Sequence, residues 1–562
     1  MNLKSYLTPL LQKNNLDPTL LTVPQDRTMG DLAFPCFTLA KQFKKSPQQI
    51  ASNLADQMNP EHPVEKIIAT GPYLNFFFDS SWIAEQTIEQ IVREWDEYGK
   101  GKKKNETILI EWRQPNTHKE YHVWHLRNEL LSEAICTLCE AWWYDVIRTS
   151  YKWDIWYHIA KWVWYYITYD NSPIPEWQIS SRAAKIYVAA SNKIKEDEAT
   201  YKPQVDEIHK RIEDNDPDIS HLVEKTRLWC LRDLNAINQE LWSTIQREYL
   251  ETEVEQPWIN IVKELVNKWI PEIRESQWAI IADLEAYDLW VFVLLKSNGA
   301  SLYSTKDIAL AELKKEEFTF DKSLYIVATE QIHHFNQLFK TLELIGYEWA
   351  EDLKHLAYWF VELPDGKMSS RAWNIISYYQ LRDLMVEEAE RIVASRDLTE
   401  EKKQQIAKAI AFAAMKFSML VIDTNKKIIF DIEKALRFDG ETWPYLQYTT
   451  ARCNALLQKW KDLEWSSIDR SLFSDEKSKL LLLHLWEFSQ TIQQAAEKYQ
   501  PYLVARYLLD LAQLFNSYYQ SVRVFDEDDV IATNTRLMLI RAVHQVMSNW
   551  LGLLGIEVLE EM

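Results

Sequence analysis

The sequence predicts an α/β body with a small α+β module before it and an all-α region after it. Three observations carry that prediction. Thr107–Trp112 is a short apolar run rich in β-branched residues, broken by Pro115 and Asn116 and followed by a helical pattern from His122. The same strand-then-helix alternation returns at Tyr144–Ser150 and Leu324–Ala328. Beyond about residue 380 only helical periodicity remains. A chain of 562 residues is too long for one core, so several domains are expected. The boundaries fall near 104 and 385, giving modules at 1–104, 105–385 and 386–562.

Composition narrows the class of protein. At 47% hydrophobic and 26% charged the chain is of ordinary globular make-up. A formal charge of −20 argues against indiscriminate nucleic-acid binding, although a local basic stripe suffices to position phosphates. No apolar run is long enough to span a membrane, and the start resembles no secretory leader, so a cytoplasmic protein with no membrane partner is expected. Cys136 and Cys139 have zinc-like spacing but lie within a helical pattern with no second pair, so core packing is the reading.

In chain order, residues 1–104 mix helix and strand. An amphipathic helix is expected at Thr38–Phe43, and a second begins after Ser46-Pro47, a cap followed by a first-turn proline. Ile67–Phe78 reads as a strand broken at Gly71-Pro72. Gly99–Asn105, with four lysines, reads as a solvated linker.

The stretch Glu106–Trp142 organises the α/β body. A strand feeding a loop and a helix N-terminus is where α/β sheets hold phosphates, since free N–H groups and the helix dipole converge there. His122 and His125 stand three apart on the first helical turn, with Lys119 just before them. Two imidazoles and an ammonium suit a polyphosphate. The alternatives on spacing alone are two surface histidines, or zinc, for which a third ligand at a telling distance is lacking.

Tyr144–Ser150 is a second strand, leading into a turn at Trp153–Ala160. Residues 168–235 are charged and helical, an insertion between two halves of a sheet. Glu248 comes next, in Thr244–Tyr249. Phe292–Tyr303 reads as a hairpin turning at Asn298-Gly299, after which Ser304 opens a helix. Leu324–Ala328 is a strand and Glu330–Phe339 the helix after it. Leu363–Arg371 is a glycine-bearing loop whose Lys367–Arg371 part has a basic residue at each end.

Gln114-Pro-Asn-Thr-His-Lys-Glu-Tyr-His-Val-Trp-His-Leu-Arg-Asn128 resembles the signature of class I aminoacyl-tRNA synthetases in the form carried by arginyl-tRNA synthetases. Lys367-Met-Ser-Ser-Arg371 resembles that family's second signature, and the likeness continues through Asp439–Arg452 to the last residues. The resemblance implies a Rossmann-like parallel sheet with a helical insertion, an N-terminal domain directed at the tRNA elbow and a C-terminal helical bundle for the anticodon. It implies a ligase that activates L-arginine with ATP, with Mg2+ expected, and transfers it to tRNA(Arg), acting as a monomer. By the same resemblance Lys119, His122, His125, Lys367, Ser369 and Arg371 are catalytic, with His122, His125, Lys119 and Lys367 on ATP. Gln114, Pro115, Asn116, His125, Glu248, Tyr303, Asp307 and Gln331 would hold L-arginine, a planar cation that asks for carboxylates and a flat ring.

One departure is systematic. The chain has 10 glycines and 25 tryptophans. Trp124, Trp143, Trp153, Trp156, Trp278, Trp359, Trp373 and Trp443 stand where the resembled family has glycine, which points to wholesale replacement of one residue by the other. Trp124 falls between the two histidines. Two outcomes are open: a working ligase in which the indole swings aside, or an impaired synthetase-like chain that keeps its fold and its tRNA binding but cannot seat ATP.

Overall fold

The computed structural model describes residues 3–556 apart from 153–156, 174–178, 215, 252, 255–261, 263, 267, 269, 298–301, 365–375, 438 and 461–467. The chain forms two compact units, Lys103–Leu436 and a second made of Met1–Lys102 with Arg437–Met562. The divide lies some way beyond the expected boundary near 385. Helices Tyr378–Val393 and Glu400–Leu420 pack against each other within the first of these units.

The larger unit is built on five parallel strands: β1 (Thr107–Trp112), β2 (Asp145–Lys152), β3 (Arg247–Leu250), β4 (Lys322–Ala328) and β5 (Leu353–Tyr358), in the order β5-β4-β1-β2-β3. Both faces of such a sheet are covered, which is why β1 and β4 read as continuous apolar runs. Chain order reverses between β1 and β4. That neighbouring pair is the switch point at whose carboxyl ends open α/β sheets bind ligands.

Helix α1 (Val123–Ala141) follows β1, and its mid-section is buried almost all round. Asn128 on α1 ties the switch point together: its side chain accepts from the Arg113 N–H at 2.9 Å and donates to the Ile326 carbonyl at 2.7 Å. Cys136 and Cys139 are buried free thiols of this helix, and burial raises both pKa values, that of Cys139 to about 12. They are core residues, as expected.

Between β2 and β3 the α-helices Tyr157–Tyr165, Ile179–Glu196, Glu198–Glu213 and Pro217–Glu240, with a π-helical turn Tyr166–Asp170 after the first, make the inserted layer around a core that includes Trp162, Val163, Ala190 and Cys230. Between β3 and β4 lies an element the sequence shows poorly, a three-stranded antiparallel sheet of Ile273–Ser276, Ala279–Asp283 and Val291–Leu295. The expected hairpin from Phe292 to Tyr303 is thereby corrected. Val291–Leu295 pairs backwards with Ala279–Asp283, and Tyr303 starts helix α2 (Tyr303–Glu317) instead of ending a strand. The Asn298-Gly299 turn lies outside the described residues. Helix α3 (Ile332–Ile345) follows β4 as expected, and a two-residue strand, Ile428–Ile429, pairs with Val361–Glu362 in a region read as wholly helical.

In the other unit, Val64–Thr70 and Tyr73–Phe78 form a hairpin around Gly71-Pro72, with Leu32–Pro35 pairing at the far edge. The expected helix at Thr38–Phe43 is only a 3-10 turn, Cys36–Leu39, running into a single α-turn, Ala40–Phe43. Helix Pro47–Gln57 starts with a reciprocal cap between Ser46 and Gln49. Residues distant in sequence hold this unit together. Lys479 lies 2.9 Å from the buried Asp31 carboxylate, and the Tyr98 hydroxyl donates to the Leu485 carbonyl at 2.9 Å. No helix among the described residues is long and apolar enough to cross a membrane.

Candidate active site

A cavity of about 520 Å³ opens at the switch point. The chain after β1 supplies Gln114 and Asn116 and the start of α1 supplies His122, Trp124 and His125. The ends of β4 and β5 supply Val327, Ala328 and Tyr358, while Glu330, Gln331 and His334 come from the turn into α3 and Asp307 from α2. Six of the expected residues therefore share one cleft: Gln114, Asn116, His122, His125, Asp307 and Gln331.

The histidine pair is preorganised. The two rings stack 3.9 Å apart at 21°, and the His122 N–H donates to His125 Nδ1 at 3.3 Å. Segment Tyr121–Val123 is pinned from outside, because Tyr378 N–H donates to the Tyr121 carbonyl at 2.9 Å and Val123 N–H to the Ile376 carbonyl at 3.3 Å. Burial, and then the neighbouring Lys119 charge, hold His125 down at about 4; burial, His125 and Lys119 depress His122 well below the usual imidazole range. Both rings are neutral at pH 7. They offer N–H donors without charge until an anion arrives. Lys119 is itself half-buried, lies 5.5 Å from the Tyr187 ring and is lowered by burial and by Lys161. An ammonium so placed gains from any anion brought near it.

Across the cleft the chemistry is acidic and amide-rich. His334 Nε2 lies 2.6 Å from Asp307 Oδ2, fixing that carboxylate on α2. Glu111, at the end of β1, is fully buried; it pairs with Lys314 at 2.7 Å and accepts from Gln114 Nε2 at 2.9 Å. The first pull on Lys314 is burial, which would lower it, but Glu111 outweighs that and its pKa is raised. Glu111, Tyr358 and Phe360 are site residues that motif reading missed. Glu111 hid inside an apolar strand pattern, and only its single carboxylate in that run could have flagged it.

Other expected residues lie elsewhere. Glu248 on β3 is bound to Lys152 at 2.6 Å and does not line the cavity, nor does Pro115. Tyr303 is placed at the first residue of α2, with its side chain outside the described residues. Lys367, Ser369 and Arg371 also lie outside them.

Trp124 lines the cavity. Its Nε1–H donates to the Val361 carbonyl at 2.8 Å and its ring packs on Phe360 at 4.6 Å, so the indole forms part of one wall. The site therefore has a flat aromatic end, at Trp124, Phe360 and Tyr358, an imidazole pair, and an acidic end.

The family model described as tRNA synthetases class I (R), catalytic domain, matches residues 87–432. The models for the arginyl tRNA synthetase N terminal domain and the DALR anticodon binding domain match residues 2–78 and 446–562. The chain is 32% identical over 557 residues to an arginine–tRNA ligase of Clostridioides difficile, covering 98% of this chain and 97% of that one. It is 34% identical to one of Bdellovibrio bacteriovorus, covering 96% and 94%. Among solved structures, the arginyl-tRNA synthetase of Thermus thermophilus superposes with a TM-score of 0.81 at 24% identity, covering 100% of both chains. That of Plasmodium falciparum gives 0.78 at 17%, covering 100% of this chain and 99% of the other.

Proposed function

The chain belongs to the arginyl-tRNA synthetase family of class I synthetases, and from that membership we propose that it joins L-arginine to tRNA(Arg) through an arginyl-adenylate made with ATP. The observation that carries the reading is the shared cleft: a neutral imidazole pair at a helix N-terminus faces a fixed carboxylate 2.6 Å from its orienting histidine.

Activation sets the amino-acid carboxylate against the α-phosphate of ATP, so the site must offset charge repulsion and fix the line of attack. His122, His125 and Lys119 would donate to the phosphates as negative charge builds on the leaving pyrophosphate. The depressed imidazoles gain most at that moment, because phosphate charge favours their protonated form. Asp307, with Gln331, Asn116 and Gln114, would hold the guanidinium and the α-amino group. Lys367, Ser369 and Arg371 would close on the pyrophosphate end, and Tyr303 would lie beside the guanidinium. Pro115 and Glu248, which do not line the cavity, would take no direct part in holding arginine. ATP would come with Mg2+, whose charge would lessen the repulsion that Lys119, His122 and His125 must offset.

In the same reading residues 1–104 meet the tRNA elbow, 105–385 carry the chemistry and the helices of 386–562 read the anticodon, in a cytoplasmic monomer. The aromatic wall at Trp124 leaves the cavity open, which favours the working ligase over the impaired chain. ATP–pyrophosphate exchange with tRNA present tests the proposal. Exchange that depends on arginine supports it, and exchange driven by a different amino acid contradicts it.

A further inference from the structure

Four tryptophans have backbone angles that belong to glycine. Trp143 follows helix α1 with φ 62°; its N–H donates to the Glu140 carbonyl, and Tyr144 N–H to the Cys139 carbonyl. This pair of bonds is the Schellman ending, whose left-handed residue is usually glycine. Trp242 repeats it after helix Pro217–Glu240, with φ 60° and bonds from Trp242 to Gln239 and from Ser243 to Asn238. Trp278 is the second residue of a two-residue hairpin loop in which Gln277 and Trp278 have φ 49° and 67°, the type I′ turn that favours Gly there. Trp95 ends helix Ser80–Glu94 at φ 49°, ψ −112°, outside the left-handed helical well altogether.

The surroundings give two of these indoles a cation contact, Lys416 4.4 Å from the Trp242 ring and Arg541 5.0 Å from the Trp95 ring. At exposed sites that attraction does not exceed the strain of a side chain at positive φ. Trp278 is 81% exposed and Trp242 57%, where a core tryptophan would be buried. A bulky residue at positive φ is an outlier even singly. Here four of the thirteen non-glycine residues with positive φ among the described residues are tryptophan. The counts of 10 glycines and 25 tryptophans lean the same way. Two of the four, Trp143 and Trp278, also stand where the family resemblance expects glycine. The other two emerge from backbone geometry alone.

We propose that positions 95, 143, 242 and 278 are glycine in the protein its own cell makes. The gene would specify them with the triplet UGA, which that cell reads as glycine and a conventional recoding renders as tryptophan. UGA differs by one base from the tryptophan codon UGG and by one base from the glycine codon GGA, so a single altered decoding step accounts for every such site at once. Trp124 belongs to the same set, which would leave bare backbone between His122 and His125. The inference at the four turn positions is independent of the ligase reading, since it stands on dihedral angles and composition; only its extension to position 124 borrows from the family.

Peptide mass spectrometry of the protein isolated from its native cells, set beside the gene sequence, decides the matter. Glycine masses over UGA triplets at 95, 143, 242 and 278 are expected. Trp164, with ordinary helical geometry and its Nε1–H on Gln204 at 3.0 Å, is the expected true tryptophan. Tryptophan masses at the four positions, or UGG triplets there, overturn the proposal. A recombinant chain carrying Trp95→Gly, Trp143→Gly, Trp242→Gly and Trp278→Gly is expected to melt several degrees above the tryptophan form, and a lower midpoint would count against it.

Discussion

His334 Nε2 and Asp307 Oδ2 lie 2.6 Å apart, joining helix α3 to helix α2 across the acidic end of the cleft. Asp307 is one of the carboxylates a guanidinium would seek, and His334 is the group that aims it. His334→Ala should leave the fold in place and loosen that aim. A hydrogen bond to a charged group contributes about 1.5–3 kcal/mol, so KM for arginine should rise roughly 10- to 100-fold while KM for ATP moves little. Steady-state exchange kinetics with each substrate varied in turn would show it; equal rises in both constants would contradict a positioning role.

Beneath the cleft, Glu111 and Lys314 are both fully buried and paired at 2.7 Å. Removing one partner of such a pair strands the other charge, at a cost of about 3–5 kcal/mol. Lys314→Met should therefore lower the urea midpoint of the larger unit markedly, and Glu111→Gln added to it should recover much of the loss. A Lys314→Met chain as stable as its parent would remove the pair from the account.

Acid should weaken the fold before its carboxylates titrate. His118 and His125 are held by burial at about 3 and about 4, below the ordinary imidazole value of 6.5. The unfolded chain takes up their protons first, so stability is full above about pH 6.5 and falls with pH from there towards the folded values. Each group contributes up to about 1.4 kcal/mol per pH unit in that window. Urea midpoints at pH 7, 6 and 5 should descend; a flat series would show these rings to be solvated.

The sequence announced the parallel sheet because its strands are apolar runs punctuated by proline and by helix starts, a local signal. The antiparallel sheet at 273–295 was harder to read. Its strands are short and edged with charge, and its tight turn is Gln277-Trp278, a pair with no turn chemistry of its own. Within the site, His122 and His125 were legible through their spacing at a helix start, and Asn116, Gln114, Asp307 and Gln331 through the family resemblance. The pairings of Glu111 with Lys314 and of His334 with Asp307 were not, since they depend on contacts 203 and 27 residues apart in sequence. Glu248 was read into the arginine wall, whereas its carboxylate is taken by Lys152.

Trp124 forms a wall of the cleft next to His122, with ring centres 5.3 Å apart. Trp124→Gly should enlarge the space beside the imidazole pair. Relief of overpacking is typically about 1–3 kcal/mol, so calorimetry should record roughly tenfold tighter ATP binding or more. Unchanged affinity would mean that the nucleotide does not approach this wall.

The most direct test of the account is the kinetic constant for arginine in Asp307→Asn. If the switch-point cleft is the arginine site, KM for arginine in ATP–pyrophosphate exchange rises by about two orders of magnitude while ATP affinity stays within a few-fold of the parent. An Asp307→Asn protein with the parent's arginine KM would place the amino acid elsewhere and contradict the account.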